Sequence, residues 1–106
     1  MCFHAQQAAE KMLKALLVFQ GTQPRKTHDL LELLEECLAR EPRVDELRAN
    51  CLVLNPYSIE VRYPQPFPEP DEQEGRMAVA AAERIVSLIR LCLPPPPARP
   101  SVEDGE

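Results

Sequence analysis

Five prolines fall within the stretch NPYSIEVRYPQPFPEPDEQEG, residues 55–75: Pro56, Pro64, Pro66, Pro68 and Pro70. Each lacks an amide donor and pushes its predecessor toward extended backbone, so no continuous helix crosses this stretch. At roughly 20 residues it exceeds an ordinary connection, and connections of that length are usually functional or disordered. It carries Tyr57, Ile59, Val61, Tyr63 and Phe67. That much apolar and aromatic matter argues for a loop packed on the body. SIEVRY alternates weakly, and the surrounding prolines limit it to an isolated strand at most.

Outside this stretch the apolar residues recur at helical spacing. In the first segment, residues 2–20, Ala5, Ala8, Ala9, Met12, Leu16 and Phe19 form one wide stripe, and Gly21 is a suitable stop. A turn with Gly21 and Pro24 leads to a second segment, residues 28–40. Its expected N-cap is Thr27, with Asp29 in the first turn, and its expected buried face is Leu30, Leu31, Leu34, Cys37 and Leu38. A third segment opens at Pro42, a good first helical residue, and places Val44, Leu47, Cys51 and Leu54 in phase. The fourth spans residues 72–93, with Ala78, Ala82, Ile85, Ile89 and Cys92 on one face. The spacing predicts an all-α chain, an antiparallel up-and-down four-helix bundle over residues 1–93 with the proline-rich loop before its last helix. Residues 94–106, opening with four prolines and ending acidic, read as a disordered tail.

The chain has 106 residues, which suits one domain. A net charge of −5 argues against broad, sequence-independent DNA binding, which needs a basic surface. No apolar run approaches a membrane span and no signal-peptide pattern opens the chain, so a cytoplasmic location is expected, with no membrane partner. Cys2, Cys37, Cys51 and Cys92 form no C-x-x-C pair. With only His4 and His28 beside them a metal site is unsupported, and reduced, small buried hydrophobes are expected. Neither metal nor cofactor is expected.

The first helix also has a polar ridge. His4, Gln7, Lys11 and Lys14 fall within an arc of about 80°. Amides, an imidazole and two ammonium groups there can meet a phosphate or an acidic partner, or simply face water. In order, the chain then reads CFHAQQAAEKMLKALL, Gly21, Pro24, THDLLELL, PYSIEVRYP and an alanine-rich closing helix. This succession resembles the HEPN family, the "higher eukaryotes and prokaryotes nucleotide-binding" helical domains, and spans residues 2–17, 27–34, 56–64 and 77–93.

The resemblance implies an all-α up-and-down bundle that often dimerises and acts with a minimal nucleotidyltransferase, commonly as toxin and antitoxin. Many members are metal-independent RNases whose site is an Arg followed four to six residues later by His. Others bind nucleotides or substrates without catalysis. This sequence departs from the pattern twice. It has no Arg-x(4–6)-His: Arg25 precedes His28 by too little, and Arg84 and Arg90 are followed by no histidine. The helix that the family places before the CFHAQQ block has no counterpart ahead of Met1: either the start is truncated or misassigned, or this member dispenses with that helix, and a bundle lacking it would expose an apolar stripe for a partner to cover.

No residue is therefore assigned a catalytic role. His4, Gln7, Lys11 and Lys14 are nucleotide- or partner-binding candidates, or else a solubilising face. His28 with Asp29 is a local acid–base pair, or Asp29 merely complements the helix dipole. Tyr57, Arg62 and Tyr63 are candidates on the loop, Arg62 for an anion and Tyr63 for stacking on a base, or else they pin the loop down. Arg84 and Arg90, with Glu83, are the wet face of the last helix. The expected function is a HEPN-like homodimeric binding module that works with a nucleotidyltransferase-type partner and holds nucleotide or RNA. The alternatives are an RNase toxin that uses His4 or His28 in a non-standard site, and a truncated, non-catalytic dimerisation protein.

Overall fold

The computed structural model describes residues 2–58 and 72–93. The expected tail, the candidates Arg62 and Tyr63 and most of the proline-rich connection lie outside the described residues. The fold is an all-α four-helix bundle: α1 (Cys2–Phe19), α2 (Leu30–Leu38), α3 (Arg48–Leu54) and α4 (Glu72–Cys92). The expected third helix is split. Pro42 opens a 3-10 helix, Pro42–Leu47, with the Glu41 side chain capping the Arg43 amide, and this passes directly into α3. A further 3-10 turn, Asn55–Tyr57, follows α3.

The contacts fix how the helices run. Arg48 reaches Glu35, and Asn55 reaches Asp29 and Leu30, so α2 and α3 are antiparallel. Glu46 meets Arg84 while Tyr57 meets Glu74, so α3 and α4 are antiparallel too. α1 departs from this alternation. Gln6 touches His28 and Gln20 touches Cys37, so α1 and α2 point the same way. The cause is the connection between them: residues 21–29 double back along α1 instead of turning at its end. Gly21 starts that reversal with φ +83°, in the left-handed region. Its amide bonds the Val18 carbonyl and the Thr22 amide bonds the Leu17 carbonyl, both at 2.9 Å, a Schellman closure of α1.

The core is built from leucine, isoleucine and small residues. Leu13, Leu16, Leu17, Leu30, Leu33, Leu34, Leu47, Leu54, Ile85 and Ile89 are fully buried. Each such side chain contributes about 1.5–3 kcal/mol relative to exposure. α1 packs on α4, and the buried residues of the two helices include Ala5, Ala9, Ala78, Ala81 and Ala82, small side chains that allow backbones to approach closely.

Several local expectations are corrected here. The buried face of α1 is Cys2, Ala5, Gln6, Ala9, Glu10, Leu13, Leu16 and Leu17, rotated by about 80° from the predicted stripe. Ala8 and Phe19, expected inside, are exposed. α2 begins two residues later than predicted and is capped by Asp29, whose Oδ1 accepts from the Leu31 amide at 2.9 Å. Thr27 instead accepts from the Asp29 amide, so the two side chains cap in succession. On α2, Leu33 is buried and Leu31 only half-buried. Cys37 and Cys51 are fully buried as their phase predicts, but Cys92 is half-buried.

Candidate functional site

Two polar side chains sit on the packed face of α1. Gln6 is fully buried and Glu10 is 7% exposed. Buried polar groups require partners, and these have them. The Gln6 amide nitrogen donates to the His28 backbone carbonyl at 3.1 Å and to Glu10 Oε1 at 3.3 Å. Its own oxygen accepts from Gln7 Nε2 at 3.2 Å. Lys14 Nζ lies 2.9 Å from Glu10 Oε2, one helical turn on. His28 Nδ1 lies 3.0 Å from Oε1 and 3.2 Å from Oε2.

The cluster exists because the 21–29 connection returns along α1 and delivers His28 over the Gln6–Glu10 turn. Burial pushes the Glu10 carboxyl up, but bonds from His28, Lys14 and Gln6 together outweigh it and hold the group below its ordinary value. Glu10 is therefore a carboxylate at neutral pH. A carboxylate only accepts, so His28 Nδ1 carries the proton, and in the neutral ring Nε2 keeps its lone pair. The His28 side chain is 66% exposed. The arrangement thus orients an imidazole from behind and leaves it open in front.

Asp29 takes a different part. Asn55 Nδ2 donates to Asp29 Oδ1 and Asn55 Oδ1 accepts from the Leu30 amide, each at 2.8 Å. The Asn55 bond, then the Leu31 amide, keep the Asp29 carboxyl below its ordinary range, against some burial. Asp29 and Asn55 clamp the start of α2 to the end of α3.

The ridge residues divide in the same way. His4 is exposed at the start of α1, edge-on to Phe3 with ring centroids 5.4 Å apart. Lys11 is exposed. Gln7 and Lys14 are half-buried and engaged with Gln6 and Glu10. Tyr57 lies apart, its hydroxyl donating to Glu74 at 3.4 Å. The structure therefore gathers Gln7, Lys14 and His28 around Glu10, and leaves His4, Lys11 and Tyr57 outside the cluster. Sequence reasoning missed Gln6, Glu10 and Asn55. The available signal was the phase of Gln6 and Glu10 with Leu13 and Leu17, at the i+3, i+4 and i+7 spacing of a single buried face.

Beside the ridge, α1 and α4 form an open groove of about 890 Å³. Ala5, Ala8, Val79, Ala82 and Val86 make its apolar floor, with His4, Glu83, Ser87 and Arg90 along it. Among the described residues no group of three His, Cys, Asp or Glu could hold a metal ion, and no helix is long and apolar enough to cross a membrane.

The family model of the HEPN domain matches residues 1–92, nearly the whole chain. The chain belongs to the HEPN family. No curated protein and no solved structure matches it. For a HEPN chain the placement of the imidazoles matters. α4 carries Arg84 and Arg90 with no histidine between or after them, and Arg84 is paired with Glu46 at 3.2 Å. Both histidines belong to the other end of the sequence, one on α1 and one in the return connection.

Proposed function

We propose that this chain is a homodimeric HEPN binding module that works with a nucleotidyltransferase-type partner, the two forming a toxin–antitoxin pair. It holds nucleotide or RNA phosphate along α1. One observation carries the reading: α4 offers arginines without an imidazole, so the Arg-x(4–6)-His arrangement of the family's RNases has no place to form. What remains is a set of donors. Lys11 and His4 stand exposed on α1, and His28 is held beside Lys14 by Glu10. Ammonium groups suit phosphate as point charges, and an exposed imidazole adds a ring nitrogen for hydrogen bonding.

The test is co-expression with a nucleotidyltransferase encoded beside the gene, followed by calorimetric titration of the purified chain with ATP and with a short RNA. The expected results are a stable complex and binding weakened about tenfold by Lys11→Ala with the fold intact. Absence of both complex and binding refutes the reading.

A second reading, a metal-independent RNase with a non-standard site, is favoured by the Glu10–His28 contact. A carboxylate on Nδ1 fixes the tautomer and leaves Nε2 able to take a proton from a ribose hydroxyl. RNA cleavage in the presence of chelator, lost on His28→Ala, reverses the order of the two readings.

A further inference from the structure

The groove between α1 and α4 is open and has an apolar floor. Its apolar floor includes Ala8, which is exposed, and Val79 and Val86, which are half-buried. This flank is apolar beyond what packing among the described residues uses. Small residues at Ala5, Ala8 and Ala82 leave room for another backbone to approach.

On the α4 side of the groove stand Glu83 and Arg90. Both are exposed, and neither has a hydrogen-bond or ion-pair partner among the described residues. Every other described arginine is engaged. The two lie seven residues apart, so they project from the same side of α4 about 10.5 Å from each other. Val86 and Ser87 lie midway between them.

We propose that the occupant of this groove is a second copy of the chain. The two α4 helices run antiparallel about a two-fold axis beside Val86 and Ser87. A two-fold contact requires that if residue i meets residue j, then j also meets i. Opposite charges placed symmetrically about an apolar centre meet that requirement: Glu83 of each protomer faces the partner's Arg90, and the ion pair forms twice. An unrelated partner has no reason to match that spacing. The groove's apolar floor is covered by the same contact, and His4 is left at its border, next to the ridge.

This register rests on the homodimer proposed above, and its test separates the two. Sedimentation equilibrium of the isolated chain over a range of concentrations gives the dimer constant, and circular dichroism checks that each variant keeps its helix content. Glu83→Arg and Arg90→Glu each set like charges opposite one another, and each is expected to weaken the dimer about tenfold or more. The double variant Glu83→Arg with Arg90→Glu restores both pairs in reverse and is expected to return to within about threefold of the wild type. A dimer indifferent to the single changes, or one the double change does not restore, overturns the register while leaving dimerisation in place. A wild-type chain that stays monomeric overturns both.

Discussion

Replacing Glu10 by Gln tests the cluster that ties the return connection to α1. The glutamine keeps the size and one acceptor oxygen. It loses the charge, and it turns a second acceptor into a donor facing either Lys14 or His28. The cost follows from how exposed the partners are. In a fully buried setting, breaking a charge-assisted hydrogen bond costs about 1.5–3 kcal/mol. The side chains of Lys14 and His28 are 29% and 66% exposed, so water re-solvates both. Each then contributes nearer the 0.5–1 kcal/mol of a partly screened pair. Gln6 keeps the His28 carbonyl as an acceptor and adds little. The expected loss is about 1.5 kcal/mol, or about 6–12 °C in Tm for a domain of this size.

The pH dependence supplies a second readout. Glu10's folded pKa is lowered, so the unfolded chain binds the proton more readily. The stabilisation is thus fully present above the ordinary glutamate value, about 4.3, and is lost as pH falls through the depressed folded value. Urea denaturation between neutral pH and pH 3 should show a steep acid decline in the wild type. Glu10→Gln should show a shallower one, with the remainder from carboxyls shifted in the same direction, Asp29 and Glu41. A variant within about 0.5 kcal/mol of wild type at pH 7, with an unchanged acid slope, refutes the claim that the carboxylate is held ionised by its neighbours.

Three further outcomes are expected. Asn55→Ala leaves the amide of fully buried Leu30 without its acceptor and should cost about 2 kcal/mol in urea denaturation. Gly21→Ala should cost about 1 kcal/mol by thermal melting, although its new methyl group meets nothing within 4 Å, because the penalty lies in the positive φ. Burial pushes the thiols of Cys37 and Cys51 up to about 12, so in a native labelling time course at pH 8 half-buried Cys92 should react before either, and both should react once urea unfolds the chain.

The helical segments were legible because, outside α1, packing followed local periodicity. The four helical segments, their stops at Gly21 and the proline stretch, and the burial of Val44, Leu47, Cys51 and Leu54 all follow from spacing and backbone chemistry. The cluster was not legible for two reasons. Polar residues count against burial in any periodic reading, so Gln6 and Glu10 were excluded from the face they occupy. Their partners also come from elsewhere: His28 is 18 residues from Glu10, and Asn55 is 26 residues from Asp29. Only the reversal of residues 21–29 brings His28 into place, and nothing in TQPRKTH specifies the direction of that reversal.

The displaced stripe on α1 carries its own information. An amphipathic helix packed on a single core shows one apolar arc, and a reading by periodicity places its centre on the buried face. On α1 the apolar arc and the buried face differ by about 80°. Two physical facts account for the offset. Gln6 and Glu10 enter the core because partners neutralise their cost, extending the buried face to one side. Ala8 and Phe19 remain outside because none of the described elements lies over them. α1 therefore carries two adjoining surfaces, one used within the chain and one facing the groove beside α4. The polar ridge runs along the far edge of the second. A copy seated in that groove would cover Ala8 and leave Lys11 open, so the same helix can supply both an interface and a recognition surface.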